Sequence, residues 1–187
     1  DPFFQGDSVV RSVEDGALAV DDSGRIAWVG EASALPSDFA AWPELDRRGE
    51  LVMPGFIDAH LHFPQTSIIG AYGTDLLYWL NTYTFPEESR FGDREHARKI
   101  AAIFADELLK HGVTSACVFS TIHPVALEEV AAAFDARGMG LLSGKTAMDR
   151  NAIPTLQDSP QAAYDEAKEL MTRLEPQYER FDYAVTP

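Results

Sequence analysis

The apolar positions of the chain fall into two alternating kinds of stretch: short apolar runs bounded by turn residues, and longer segments with a helical period. From Ala17 to Gly30 the pattern predicts a β-hairpin, with strands Ala17–Val20 and Ile26–Val29 joined by the turn Asp21-Asp22-Ser23-Gly24. Residues 33–48 carry no clear period and read as surface loop. Val52–Gln65, VMPGFIDAHLHFPQ, reads as a turn at Pro54-Gly55 feeding a strand that Phe63-Pro64 brings to an end. A long excursion follows to Gly92, of the length that inside a compact domain forms a lid or a pocket wall.

Beyond Gly92 the pattern becomes regular. Asp93 is placed to cap a helix running to His111, with Ala97, Ile100, Ala101, Phe104 and Leu108 on one stripe and Gly112 ending it. Val113–Thr121 is a strand. Pro124 suits the first turn of a second helix, whose stripe is Leu127, Val130, Ala131 and Phe134 and which Gly138 stops. Gly140–Met148 is a further strand, Ser159-Pro160 opens a third helix carrying Ala163, Ala167, Leu170 and Leu174, and Phe181–Val185 begins another strand. Strand–helix repeats of this kind predict a parallel sheet with helices outside it. Four strands suffice for a small open sheet, whereas a β/α barrel needs eight in about 250 residues. Because Thr186-Pro187 follows a strand directly and the chain opens on Asp1-Pro2-Phe3-Phe4 without an initiator Met, the expectation is the front half of a barrel protein. The expected division is residues 1–52 as part of a small β-sandwich domain, too short to close a core alone, and residues 53–187 as the incomplete barrel.

Composition narrows the function. With 187 residues and 45% hydrophobic content the chain can bury a core. A net charge of −15 leaves no basic patch to neutralise phosphates, so a nucleic-acid partner is not expected. No apolar run reaches membrane-spanning length and no basic-apolar leader opens the chain, so neither a membrane nor export is expected, and the cytoplasm is the default. The single Cys117 excludes a disulfide framework and a Cys-rich zinc site, and within SACVFST it reads as a small buried apolar residue.

The candidate chemistry sits at the end of the motif strand. Strand side chains alternate, so Asp58, His60 and His62 share one side and Ile57, Ala59 and Leu61 the other. Two imidazoles two residues apart on one face can reach a single divalent metal together, with Asp58 orienting or packing beneath them. The C-terminal end of such a strand is where β/α barrels and open α/β sheets place their chemistry. Gln65, just past the strand, offers both a donor and an acceptor, which suits the mixed edge of a nucleobase and equally suits a surface loop. His123 follows a strand and faces the same mouth, as a pocket or a loop residue. His96 reads as solvated on the polar side of its helix, and His111 as a structural residue in a last helical turn. Lys145 reads more readily as a strand-end lysine reaching solvent than as a catalytic or modified lysine, and Asp149-Arg150-Asn151 reads as a turn. Trp79 and Phe85 could stack on a planar ligand or pack down their own loop.

PGFIDAHLHFPQ is similar to the first metal motif of the amidohydrolase superfamily. HFPQTSIIGAYG, LLYWLNTYTFPEESRF, GVTSACVFSTIHP and GKTAMDRNA further resemble its guanine deaminase family, in that order and spacing, across Leu51–Pro187; Tyr78 departs from the pattern where an acidic residue is expected. The resemblance implies a metal-dependent hydrolase with a (β/α)8 TIM-type barrel, in which His60 and His62 bind a catalytic zinc ion (iron is the alternative). It implies that His62, Phe63, Pro64 and Gln65 contact a purine substrate, Gln65 through its amide. The remaining ligands, a proton-shuttling Glu and an Arg-Phe pair gripping the base are expected beyond Pro187, so the 187 residues alone are expected to be inactive. The implied reaction is hydrolysis of guanine to xanthine and ammonia by a homodimer, with an N-terminal β-domain completed by C-terminal strands. Two alternatives stand beside it: another amidohydrolase acting on a ring amine or halide, and a non-catalytic truncated scaffold.

Overall fold

The computed structural model describes residues 11–187, so the readings made of the opening Asp1-Pro2-Phe3-Phe4 and of a leader lie outside the described residues. The chain divides into two compact units, Asp1–Met53 and Pro54–Pro187. In the first, β1 (Gly16–Val20) pairs antiparallel with β2 (Ile26–Glu31), Ala17 opposite Gly30 and Ala19 opposite Trp28. The Asp21 carboxylate closes the turn by accepting from the Ser23 and Arg25 amides at 2.9 and 3.0 Å, and Gly24 takes the left-handed φ of +79° that the turn requires. The Ser23 hydroxyl, which also donates to this carboxylate, and then the Arg25 amide hold the Asp21 carboxyl below its ordinary pKa. Ala19 is the one buried side chain of this unit among the described residues, while Leu18, Val20, Ile26 and Val29 stay exposed. Residues 33–48, expected as loop, contain only a short helical turn at Ser37–Phe39 and the end of another at Ala32–Ala34.

The second unit is a parallel sheet of β3 (Phe56–His62), β4 (Val113–Phe119), β5 (Gly140–Gly144) and β6 (Phe181–Tyr183), neighbours in chain order. The expected strands thus form, with shorter ends: Thr146 and Thr186 pair only as an isolated bridge beyond β5 and β6. The sheet is open, and its architecture is α/β with parallel strands.

The excursion, expected as a lid or a pocket wall, is largely helical. Asp75 accepts from the Tyr78 amide at 2.8 Å and so starts α1 (Leu76–Trp79); a π-turn over Leu80–Thr84 and α2 (Phe85–Glu88) continue it, and a 3-10 turn closes it at Ser89–Gly92. Trp79 donates its indole N–H to the Ala71 carbonyl at 3.1 Å and packs the excursion onto itself, and Tyr78 is exposed. The three periodic helices follow as α3 (Arg94–Lys110), α4 (Pro124–Asp135) and α5 (Pro160–Leu174). Asp93 caps α3 by accepting from Glu95 N at 2.8 Å, and Ser159 caps α5 by accepting from Ala162 N at 3.1 Å. Phe104, Leu127, Val130, Phe134, Leu170 and Leu174 turn inward from these helices onto Ala116, Val118 and Leu141 of the sheet.

Two side chains correct the sequence expectation. His96 is not solvated: its ring lies 4.8 Å from that of Phe91, nearly perpendicular, and Nε2 stands 3.2 Å from Glu87 Oε1, in ion-pair range without hydrogen-bond alignment. The helical excursion covers the first turn of α3, which the period of α3 alone does not reveal. Lys145 does not reach solvent: its side chain is 1% exposed and its ammonium pairs with Asp158 and with Glu166. Cys117 is half-buried, and His111 ends α3 with Nδ1 2.8 Å from the Glu107 carbonyl.

Candidate metal and substrate site

The site is built at the C-terminal end of β3. Against β4 the register runs Asp58 to Ala116, then Leu61 to Val118 and His62 to Phe119, so β3 carries one extra residue between Asp58 and Leu61. The Asp58 carboxylate accepts from the His60 amide at 3.0 Å and braces that bulge from within the strand. The bulge re-aims the end of the strand. His60 and His62 lie with ring centroids 5.0 Å apart and planes at 83°. Phe119, at the end of β4, stacks on His62 at 4.9 Å with planes 18° apart and meets His60 edge-on at 5.4 Å. It is the wall that holds both imidazoles, and no sequence motif pointed to it; its only signal was its place at the end of the neighbouring strand.

Burial, and then the proximity of His60, hold His62 below the ordinary imidazole pKa, which keeps it in the neutral form that ligates metal. Two imidazoles with ring centroids 5.0 Å apart at the end of one strand fit part of a zinc or iron ligand set. Among the described residues no group of three or more His, Cys, Asp or Glu side chains gathers in metal-binding range, so these two imidazoles could be at most part of a ligand set. His123 does not join them. It is half-buried at the start of α4, with its amide donating to Thr121 Oγ1 at 3.1 Å, and burial lowers its pKa.

The segment after the strand turns as a 3-10 helix, Phe63–Ile68. Phe63 is 0% exposed, with its ring 5.1 Å from that of Phe91 and 6.1 Å from that of Phe104; Pro64 is buried as well. Their side chains anchor the segment in the core, and only their main chain is left for a ligand. Gln65 is different. Its Nε2 lies 3.3 Å from His62 Nδ1 and donates to Glu88 Oε1 at 3.2 Å. Glu88, from α2, is 9% exposed, and burial pushes its carboxyl above the ordinary value while the Gln65 bond pulls it down. An isolated Glu in an unperiodic stretch carries no signal of burial, so sequence reasoning passed over it.

The sequence profile described as the amidohydrolase family matches residues 51–185, the whole of this parallel sheet and its helices. The chain belongs to the amidohydrolase family. Among its amidohydrolase relatives, the guanine deaminase of Escherichia coli (strain K12) is 40% identical over 184 residues, covering 96% of this chain and 41% of that protein. The solved structure of E. coli guanine deaminase superposes with a TM-score of 0.83 at 39% identity, over 92% of this chain and 40% of that one. A guanine deaminase from C. acetobutylicum, solved with guanine bound in its active site, superposes with a TM-score of 0.82 at 31% identity, over 91% of this chain and 40% of that one. The chain therefore spans about two-fifths of the length of the relatives it matches.

Proposed function

We propose that the complete protein hydrolyses guanine to xanthine and ammonia, with His60 and His62 as two ligands of a catalytic zinc ion and the Gln65 amide in contact with the purine. The observation that carries this reading is the His60–His62 pair, with ring centroids 5.0 Å apart and Gln65 3.3 Å from His62, in a chain 40% identical to a guanine deaminase. When bound, the ion supplies a Lewis acid that acidifies water towards a pKa of about 7, so that attack on the ring carbon is possible at neutral pH. The chain's own residues do the positioning. Asp58 braces the bulge that presents His60; Phe119 fixes both ring planes; Gln65 offers a carboxamide at hydrogen-bonding distance from the ligand pair. Phe63 and Pro64 serve the substrate through their main chain, as their side chains belong to the core.

The same reading takes the four-stranded sheet as the opening half of a (β/α)8 barrel and the β1–β2 hairpin as part of a composite β-domain, in a cytoplasmic homodimer. No described helix is long and apolar enough to cross a membrane. Ammonia and xanthine are measured after incubation of the complete protein with guanine, adenine and an amino- or chlorotriazine. Turnover of guanine alone supports the assignment. Turnover of a triazine or adenine without guanine would leave the amidohydrolase family and remove the substrate.

A further inference from the structure

Glu88 stands out among the buried polar groups because folding gives it nothing except Gln65. It is 9% exposed, it lies on α2, 23 residues from Gln65, and its one hydrogen bond among the described residues is the 3.2 Å bond from Gln65 Nε2. Burying a carboxylate with a single neutral donor is unfavourable, and a leucine or methionine would pack the same space at lower cost. What a carboxylate supplies that those residues lack is a fixed polarity: when ionised it accepts and never donates. It therefore draws the nitrogen end of the Gln65 carboxamide inward. The same nitrogen lies 3.3 Å from His62 Nδ1, so the nitrogen end of the carboxamide faces the protein. Among the described residues nothing hydrogen-bonds to Gln65 Oε1.

We propose that Glu88 is a positioning residue that sets which end of the Gln65 carboxamide meets the ligand, so that the site presents Oε1 as an acceptor to a ring N–H of the purine. Gln65 read alone is ambiguous, since an amide can be flipped at no steric cost; Glu88 removes the ambiguity. The consequence is selective: a purine whose matching ring nitrogen carries a methyl group in place of hydrogen loses its partner and leaves a buried acceptor unpaired. The orientation claim stands on this chain's geometry, and only the identity of the ligand rests on the proposed deamination.

The test uses the complete protein and the variants Glu88→Leu and the isosteric Glu88→Gln. With glutamine amides selectively labelled with 15N, the Gln65 resonance pair is assigned by its loss in Gln65→Ala. It is expected to be shifted and protected from exchange in the parent, and to collapse to solvent-like values in Glu88→Leu. In steady-state assays Glu88→Leu is expected to raise KM for guanine about tenfold with kcat within threefold. It is also expected to abolish discrimination between guanine and whichever ring N-methylated guanine the parent rejects. An unmoved amide resonance, or an unchanged KM, or a loss confined to kcat, would overturn the proposal. If Glu88→Leu does not accumulate as folded protein, Glu88→Gln decides: two amide environments uphold the proposal and a single unchanged one overturns it. A parent protein that does not turn over guanine refutes the deaminase reading, while the amide resonances still decide the role of Glu88.

Discussion

Removing the charge of Lys145 gives the sharpest quantitative test of the packing around the sheet. Its side chain is 1% exposed just past β5; its ammonium pairs with Asp158, whose side chain is 7% exposed, and donates to the Thr146 carbonyl at 3.3 Å. Glu166 lies 3.3 Å away but is 44% exposed, so its carboxylate rehydrates freely once the lysine is gone. Lys145→Met keeps the apolar stem and leaves Asp158 as a carboxylate with neither water nor cation. Breaking a buried pair from one side costs about 3–5 kcal/mol, whereas replacing both partners by apolar groups of similar volume is close to neutral. The expected order is therefore a loss of about 3–5 kcal/mol for Lys145→Met, a similar loss for Asp158→Leu, and a smaller loss for the double variant than for either single one. Urea unfolding of the four proteins at constant m-value closes the cycle, and a double loss smaller than either single one means a coupling above about 3 kcal/mol. Since Asp158 also donates its amide to the Met148 carbonyl at 2.8 Å, the pair pins the whole segment from β5 to α5. Additive single losses would show that the two charges act independently and would refute the reasoning.

Other perturbations reach the site and the sheet. Phe63→Ala, which empties a fully buried site between Phe91 and Phe104, should cost about 3–5 kcal/mol in chemical unfolding, and a loss under about 1 kcal/mol would show the site segment is not anchored there. Gly144→Ala would place a Cβ 1.8 Å from the Ala184 carbonyl oxygen between β5 and β6; a loss of about 1–3 kcal/mol is expected, with faster hydrogen exchange at the Ala184 amide, which donates to Ser143 O at 3.0 Å. For Glu88, the folded carboxyl titrates above its ordinary value, so the folded state holds a proton that the unfolded chain has released. Its contribution to stability therefore falls as pH rises from about 4.5 through the higher folded pKa. Relative to the parent, Glu88→Gln should gain stability between pH 4 and pH 7 in parallel urea melts; a difference independent of pH would contradict that burial.

Much of the second unit was legible in the sequence because its signals are local. Asp93 and Ser159 announce their helices by capping chemistry, and the stripes Ala97–Phe104 and Leu127–Phe134 carry the period that the core uses. The strands overran their ends: Ala147 and Met148 have the apolar pattern of a strand, but regular pairing with β6 stops at Ser143–Tyr183. The excursion resisted reading because its helix is assembled from α, π and 3-10 turns with Pro86 inside, so no single period runs through it. His96 and Lys145 were misplaced for a related reason. Their burial is imposed by Glu87 and Asp158, which arrive from other elements, and the alternation within one helix or strand is silent about its neighbours. At the site, the His-x-His spacing was visible, while the bulge at residues 59–60, the Phe119 wall and the Glu88–Gln65 bond exist only once β3, β4 and α2 are brought together.

The central claim is that His60 and His62 jointly hold a hydrolytic metal ion. X-ray absorption at the zinc edge of the complete protein, loaded with one equivalent of zinc, measures this directly beside metal content after dialysis. One ion per chain is predicted, with imidazole nitrogens in its inner shell at about 2.0–2.1 Å, and with both the ion and guanine hydrolysis lost in His60→Ala and in His62→Ala. Stoichiometric zinc that survives both substitutions with its imidazole shell unchanged would contradict the account.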